Sequence, residues 1–253
     1  MVDADTPDSG AILAAAQRLT GHLVRTPMIG DLRLPGFGFH GVRIKAECLQ
    51  TAGSLMFRGY LHCLQRSLGR WKGLVLAGSP REIYAQAVAA SLHRVPACAV
   101  VEGDVQAGLL DRIEATGCEV QQVSAGEAAG VLGDMVRSRG FQPMPELGDG
   151  DVWCGIATIG VELAQELPRE IAAVQISPAC LAEPVRGGLR AADREVDVRG
   201  VDRSEDASHA ELARAVLSGL RVDSDPDGLA ALASVHSESV ERSESPSCVV
   251  LSC

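Results

Sequence analysis

Between Gly78 and Gln86 the chain gathers Ser79, Arg81, Glu82, Tyr84 and Gln86. A carboxylate and a phenol can exchange protons with a bound molecule, and a guanidinium can hold an anion. Glu82, Tyr84 and Arg81 are therefore the candidate catalytic groups, with Ser79 and Gln86 as further ligand contacts. The plainer alternative makes Arg81 and Glu82 a solvated face at the start of a helix. Against it stands their place just after an apolar run, Gly73–Ala77, since the carboxyl edge of a parallel sheet is where α/β proteins bind ligands.

The remaining reactive side chains form no pattern. His22, His40, His62, His93, His209 and His236 are scattered, and no Ser/His/Asp order emerges. Eight cysteines show neither a C-x-x-C pair nor Cys/His ligand spacing, and several sit inside apolar segments. They read as mostly buried free thiols, with no metal site expected. Two lysines serve the whole chain. Lys72 precedes a strand, and Lys45 lies in an earlier strand beside Glu47 on the same face, where an ion pair is its plain role.

Positioning these groups requires a layered scaffold, and the apolar pattern supplies one. Asp8 and Ser9 can cap a helix in which Ile12, Leu13, Ala16, Leu19 and Leu23 recur at helical spacing, until Arg25-Thr26-Pro27 breaks it. Strands over 42–47, 73–77, 97–101 and 119–123 then alternate with helices over 56–68, 81–92, 105–116 and 126–139. Alternation of that kind calls for right-handed crossovers and a parallel sheet. A looser stretch, 140–152, precedes a helix near 155–166, an apolar run at 172–176 and a further helical segment. Later helical stretches fall at 211–220 and 228–233, before a terminal apolar run at 248–252. The expected fold class is α/β, with open parallel sheets in two domains: 1–40 plus 140–253, and 41–139.

Composition narrows the partners. Apolar residues make up 46% of 253 residues and aromatics only 3%, which suits small aliphatic layers of helix on sheet. A formal charge of −10 repels polyanions, so no nucleic acid is expected. No apolar run approaches the ~20 residues that span a bilayer, and the acidic start lacks a signal pattern, so no membrane partner and a cytoplasmic location are expected.

Three segments in order carry a resemblance: Arg25-Thr26-Pro27, then Lys45-Ala46-Glu47-Cys48-Leu49-Gln50-Thr51-Ala52-Gly53-Ser54, then Phe57-Arg58-Gly59. Ile156-Ala157-Thr158 with Gly160-Val161-Glu162-Leu163 follows, and Val249-Val250-Leu251-Ser252 closes the set. This pattern resembles fold-type II pyridoxal-phosphate (PLP) enzymes, in the threonine dehydratase and serine racemase branch. The resemblance implies a tryptophan synthase β-subunit-like fold with a trimmed large domain and a homodimer or other partner protein.

It also exposes departures. The Schiff-base lysine of the family falls at Met56, and a thioether forms no imine. The family's carboxylate-holding loop corresponds to Gly78–Tyr84, where Pro80 removes a backbone donor and Glu82 repels a carboxylate. Its glycine phosphate cradle corresponds to Ser177-Pro178-Ala179-Cys180-Leu181. From these departures PLP is expected to be absent, with Met56 as an apolar plug buried between the domains. Thr51, Ser54, Met56, Ser79, Arg81, Glu82, Gln86, Thr158, Ser177 and Ser252 are the expected ligand contacts, although Thr51 and Ser54 can equally serve the turn. Two functions fit best: a degenerate member that forms no PLP aldimine and binds a small amino-acid-like molecule or a partner protein, or a repurposed enzyme working in the vacated cleft. A residual PLP-dependent ammonia-lyase using Lys45 ranks last.

Overall fold

The computed structural model describes residues 6–32, 42–171, 173–202 and 247–251. They fall into two compact units: one formed by residues 1–55 and 156–253, the other by residues 56–155. These boundaries differ from the expected 40/41 and 139/140. The reason lies in Val42–Ala46, which pairs with strands of the first unit. The second boundary falls inside a helix that begins at Gly150, five residues ahead of the expected start.

The first unit opens with α1 (Ser9–Leu19), capped as its sequence requires by the Asp8 carboxylate, which accepts from the Ala11 N–H at 2.8 Å. The chain then forms β1 (Met28–Leu32), β2 (Val42–Ala46) and a short 3-10 turn over Glu47–Leu49. After the second unit come the end of α6 (Gly150–Glu166), β7 (Ala173–Ile176), α7 (Ala182–Ala191), β8 (Asp197–Gly200) and β9 (Ser247–Leu251). The sheet order is β1-β2-β9-β7-β8, with β1 antiparallel and the rest parallel. Helical spacing had no means of announcing β1, a strand of mixed polarity. Ile44, Val174, Ile176, Ile159, Leu163 and Val185 are fully buried in this unit. A Cβ at Gly160 would overlap the Val185 carbonyl, and one at Gly188 would overlap the Ala157 carbonyl, so α6 and α7 meet at backbone distance.

The second unit contains α2 (Met56–Arg66), β3 (Leu74–Leu76), α3 (Pro80–Leu92), β4 (Ala97–Glu102), α4 (Ala107–Glu114), β5 (Glu119–Val123), α5 (Ala128–Arg139) and β6 (Gln142–Pro143). Its sheet is wholly parallel in the order β5-β4-β3-β6. The alternation read from the sequence is present, with β6 inside the stretch expected to be loop. Val75, Cys98, Val100 and Met135 form a core packed by Val131, Leu132 and Phe141. Among the described residues no helix is long and apolar enough to cross a membrane. The expected helices at 211–220 and 228–233 and the contact Ser252 lie outside the described residues.

Candidate functional site

In the second unit, β3 ends two residues before a turn at Gly78, whose φ of 125° suits glycine. Ser79 then caps α3. The Glu82 Oε2 atom accepts from the Ser79 N–H at 3.0 Å and from the Ser79 hydroxyl at 2.9 Å, and the Glu82 N–H donates back to Ser79 Oγ at 3.3 Å. This capping box places a carboxylate over the turn itself. Pro80 sits in the first turn, where a missing N–H is harmless.

One turn further, Gln86 is buried and donates through Nε2 to the Ala77 carbonyl at 3.1 Å, while its Oε1 has no partner among the described residues. An unmet buried acceptor costs about 1–3 kcal/mol, so it marks a place for a ligand donor. Tyr60 is buried on α2. Burial pushes its phenol above the usual range; a hydrogen bond with Gln86 opposes the rise and the Glu82 carboxylate adds to it. Tyr60 lies four residues after Met56, on the same helical face. Sequence reasoning passed over it, although that spacing was available as a signal.

Tyr84 does not join this group. Two residues from Glu82 on a helix is a turn of about 200°, and the Tyr84 ring lies 4.3 Å from the Arg112 guanidinium carbon instead. Arg81 is exposed at the helix start. Met56 is only partly buried, whereas Leu55 is fully so. The expectation of a buried Met56 plug is thus corrected: as the first residue of α2, Met56 has no preceding helical turn to cover it.

In the first unit, the loop after β7 holds Ser177, whose buried Oγ has no partner among the described residues. Pro178 offers no N–H, and the Ala179 N–H donates to Asp202 Oδ1 at 3.0 Å. An internal carboxylate therefore occupies the Ala179 N–H, as Glu82 occupies the Ser79 N–H, and the Leu181 N–H is bonded to the Pro178 carbonyl at 3.0 Å. Asp202 carried no sequence signal, because it follows a different strand. Thr158 is buried on α6 and Ser54 is buried ahead of α2. Thr51 is exposed, its N–H donating to Gln50 Oε1 at 3.0 Å, and Gln50 in turn bonds the Val24 N–H and carbonyl at 3.0 and 2.9 Å. Thr51 serves the turn.

Lys45 is fully buried, and its ammonium contacts Glu162 Oε2 at 2.9 Å, Glu166 Oε2 at 2.7 Å and the Thr26 carbonyl at 2.9 Å. The expected pairing with Glu47 is corrected: the strand stops at Ala46 and Glu47 opens a 3-10 turn, so strand alternation no longer applies. Glu47 instead accepts from the Thr26 hydroxyl at 2.5 Å. Arg25 donates to Glu166 at 2.7 Å and Gln165 at 3.1 Å. Lys72 is exposed at the amino end of β3, the edge opposite the Gly78 turn.

Comparison with known proteins places this arrangement. A family model described as "Pyridoxal-phosphate dependent enzyme" matches residues 19–178, well over half of the chain. The chain belongs to the pyridoxal-phosphate dependent enzyme family. Serine racemase of Arabidopsis thaliana is 24% identical over 182 residues, an alignment covering 70% of this chain and 53% of that protein. The chain thus spans about half the length of this curated relative. Serine racemase from Dictyostelium discoideum superposes with a TM-score of 0.85 at 14% identity, covering 98% of each chain. The processed form of threonine deaminase isoform 2 from Solanum lycopersicum gives 0.79 at 17% identity, covering 98% of this chain and 90% of that one. These likenesses establish the fold.

The family match overturns the expectation that PLP is absent, because the family is one of PLP-dependent enzymes. Met56 alone does not exclude the cofactor. A lysine supplies one covalent bond, whereas a cofactor's affinity also rests on non-covalent contacts around it. Position 56 carries a thioether, Lys45 is enclosed by two carboxylates, and Lys72 lies at the far sheet edge.

Proposed function

We propose that this member of the PLP-dependent enzyme family acts by binding a small amino-acid-like molecule, and that it does not carry out lysine-dependent racemisation or deamination. The observation that carries the reading is the fate of the two lysines. Lys45 Nζ is closed off by Glu162, Glu166 and the Thr26 carbonyl, one acceptor for each of its three donors. A lysine must reach a bound molecule to act as a nucleophile or base, and these three acceptors enclose the fully buried Lys45 nitrogen.

Chain groups suited to binding are still present. In the second unit, Gln86 Oε1 can accept from an ammonium or hydroxyl. In the first unit, Ser177 Oγ can donate to an oxygen.

The test pairs calorimetry with product detection. The full chain is titrated with L-serine, D-serine and L-threonine, with and without PLP, while ammonia and 2-oxo acid are measured. Saturable binding without product supports the reading. Ammonia release above background, or a borohydride-trapped pyridoxyl adduct at Lys45 or Lys72, overturns it.

A further inference from the structure

At the amino ends of β7 and β8 an open groove of about 450 Å3 enters the first unit. α7 leaves the carboxyl end of β7 and returns to the amino ends of both strands, so this groove lies at the sheet edge opposite Ser177 and Asp202. Ile171, Leu189 and Val196 line it together with Arg190, Arg194 and Glu195. The volume falls among small-molecule sites, which span roughly 300–1,000 Å3.

The charges lining the groove are unbalanced. Arg186, also in the wall, is committed to Glu183 and to the Val198 carbonyl, and Asp197 is paired with Arg199 at 2.6 Å. The Arg190 guanidinium is exposed and has no hydrogen-bond or ion-pair partner among the described residues. Arg194 donates one terminal N–H to the Pro168 carbonyl at 2.6 Å, but its buried Nε meets no acceptor. Two guanidiniums with open donors thus face one carboxylate, Glu195, in a chain whose net charge is −10. A guanidinium fork matches a carboxylate, and a buried N–H without an acceptor calls for one.

We infer that this groove binds a small organic monocarboxylic acid. Its carboxylate bridges Arg190 and Arg194, and the rest of the molecule lies along Val196. Glu195 repels a second carboxylate and selects against diacids. Placement away from the carboxyl edge of the sheet gives this acid the role of an effector rather than a substrate.

Isothermal titration of the full chain with 4-methylpentanoate tests the assignment, with 4-methylpentanamide and succinate as comparison ligands. The acid is expected to bind one to one, at least tenfold more tightly than either comparison ligand, and Arg190→Ala to weaken it at least tenfold. Because Arg190 is exposed, the variant should melt with the wild type, which circular dichroism checks. Absence of saturable heat with the acid, equal binding of the amide, or unchanged affinity in Arg190→Ala overturns the inference.

Discussion

The Lys45 ammonium lies 2.7 Å from a Glu166 carboxylate oxygen and is itself entirely shielded from water. Removing a buried charge partner costs more than the pair contributes, since the remaining carboxylates lose their compensation. Lys45→Met is expected to destabilise the chain by about 3–5 kcal/mol, read from the urea midpoint with an unchanged slope.

At the α6–α7 crossing, Gly188 faces the Ala157 carbonyl where a methyl group has no room. Gly188→Ala is expected to cost about 3 kcal/mol or more, because backbone rather than a side-chain tip must move. Gly148→Ala, where a Cβ meets nothing, serves as the control. Comparable melting temperatures for the two variants would contradict the close approach.

The Ser79 cap should be worth about 1 kcal/mol to α3. Ser79→Ala loses the hydroxyl that accepts from the Glu82 N–H, and hydrogen exchange in the first turn of α3 should accelerate correspondingly. An unaltered exchange pattern would remove the cap from the account.

Burial raises three thiols from the ordinary value of 9.0. Cys63 is pushed up to about 12, with Asp149 and Asp151 adding; Cys118 to about 12, with Cys98 and Glu119 adding; and Cys98 to about 11, with Glu119 adding. Above pH 9 the unfolded chain loses these protons while the folded chain keeps them, so stability falls as pH rises from 9 toward 11 or 12. Each thiol contributes about 1.4 kcal/mol per pH unit across its window. Urea midpoints at pH 8 and 10 should show the fall, and Cys63→Ala should make it shallower.

Met56→Lys alone is expected to leave ammonia release from serine and threonine at background. Pro178 still lacks an N–H, and the Ala179 N–H is still bonded to Asp202. Release above background by this single variant would contradict the proposal.

Much of the scaffold could be read from the sequence because its signals are local. Asp8 caps α1, Pro80 opens α3, and the apolar runs of β3 to β5 alternate with helices as their spacing requires. Partners across long separations could not be read. Lys45 finds Glu162 and Glu166 rather than Glu47, because a turn at Glu47 ends the strand. Tyr84 turns to Arg112 while Tyr60 comes beside Gln86, a choice made by helix packing. Met56 illustrates a different limit: its type was legible, but a single side chain does not decide whether a cofactor is held.

Asp202, two residues beyond β8, occupies the Ala179 N–H from within the same chain. A tethered group competes at an effective concentration of millimolar order. An anion arriving from solution at that turn therefore enters by exchange, displacing one carboxylate as it binds. Its saturation curve would report a ratio of two preferences for one donor, and net charge at the turn would change little. Dilute anions would pass unnoticed there, while abundant ones would register only in proportion to how far they outcompete a residue that never diffuses away.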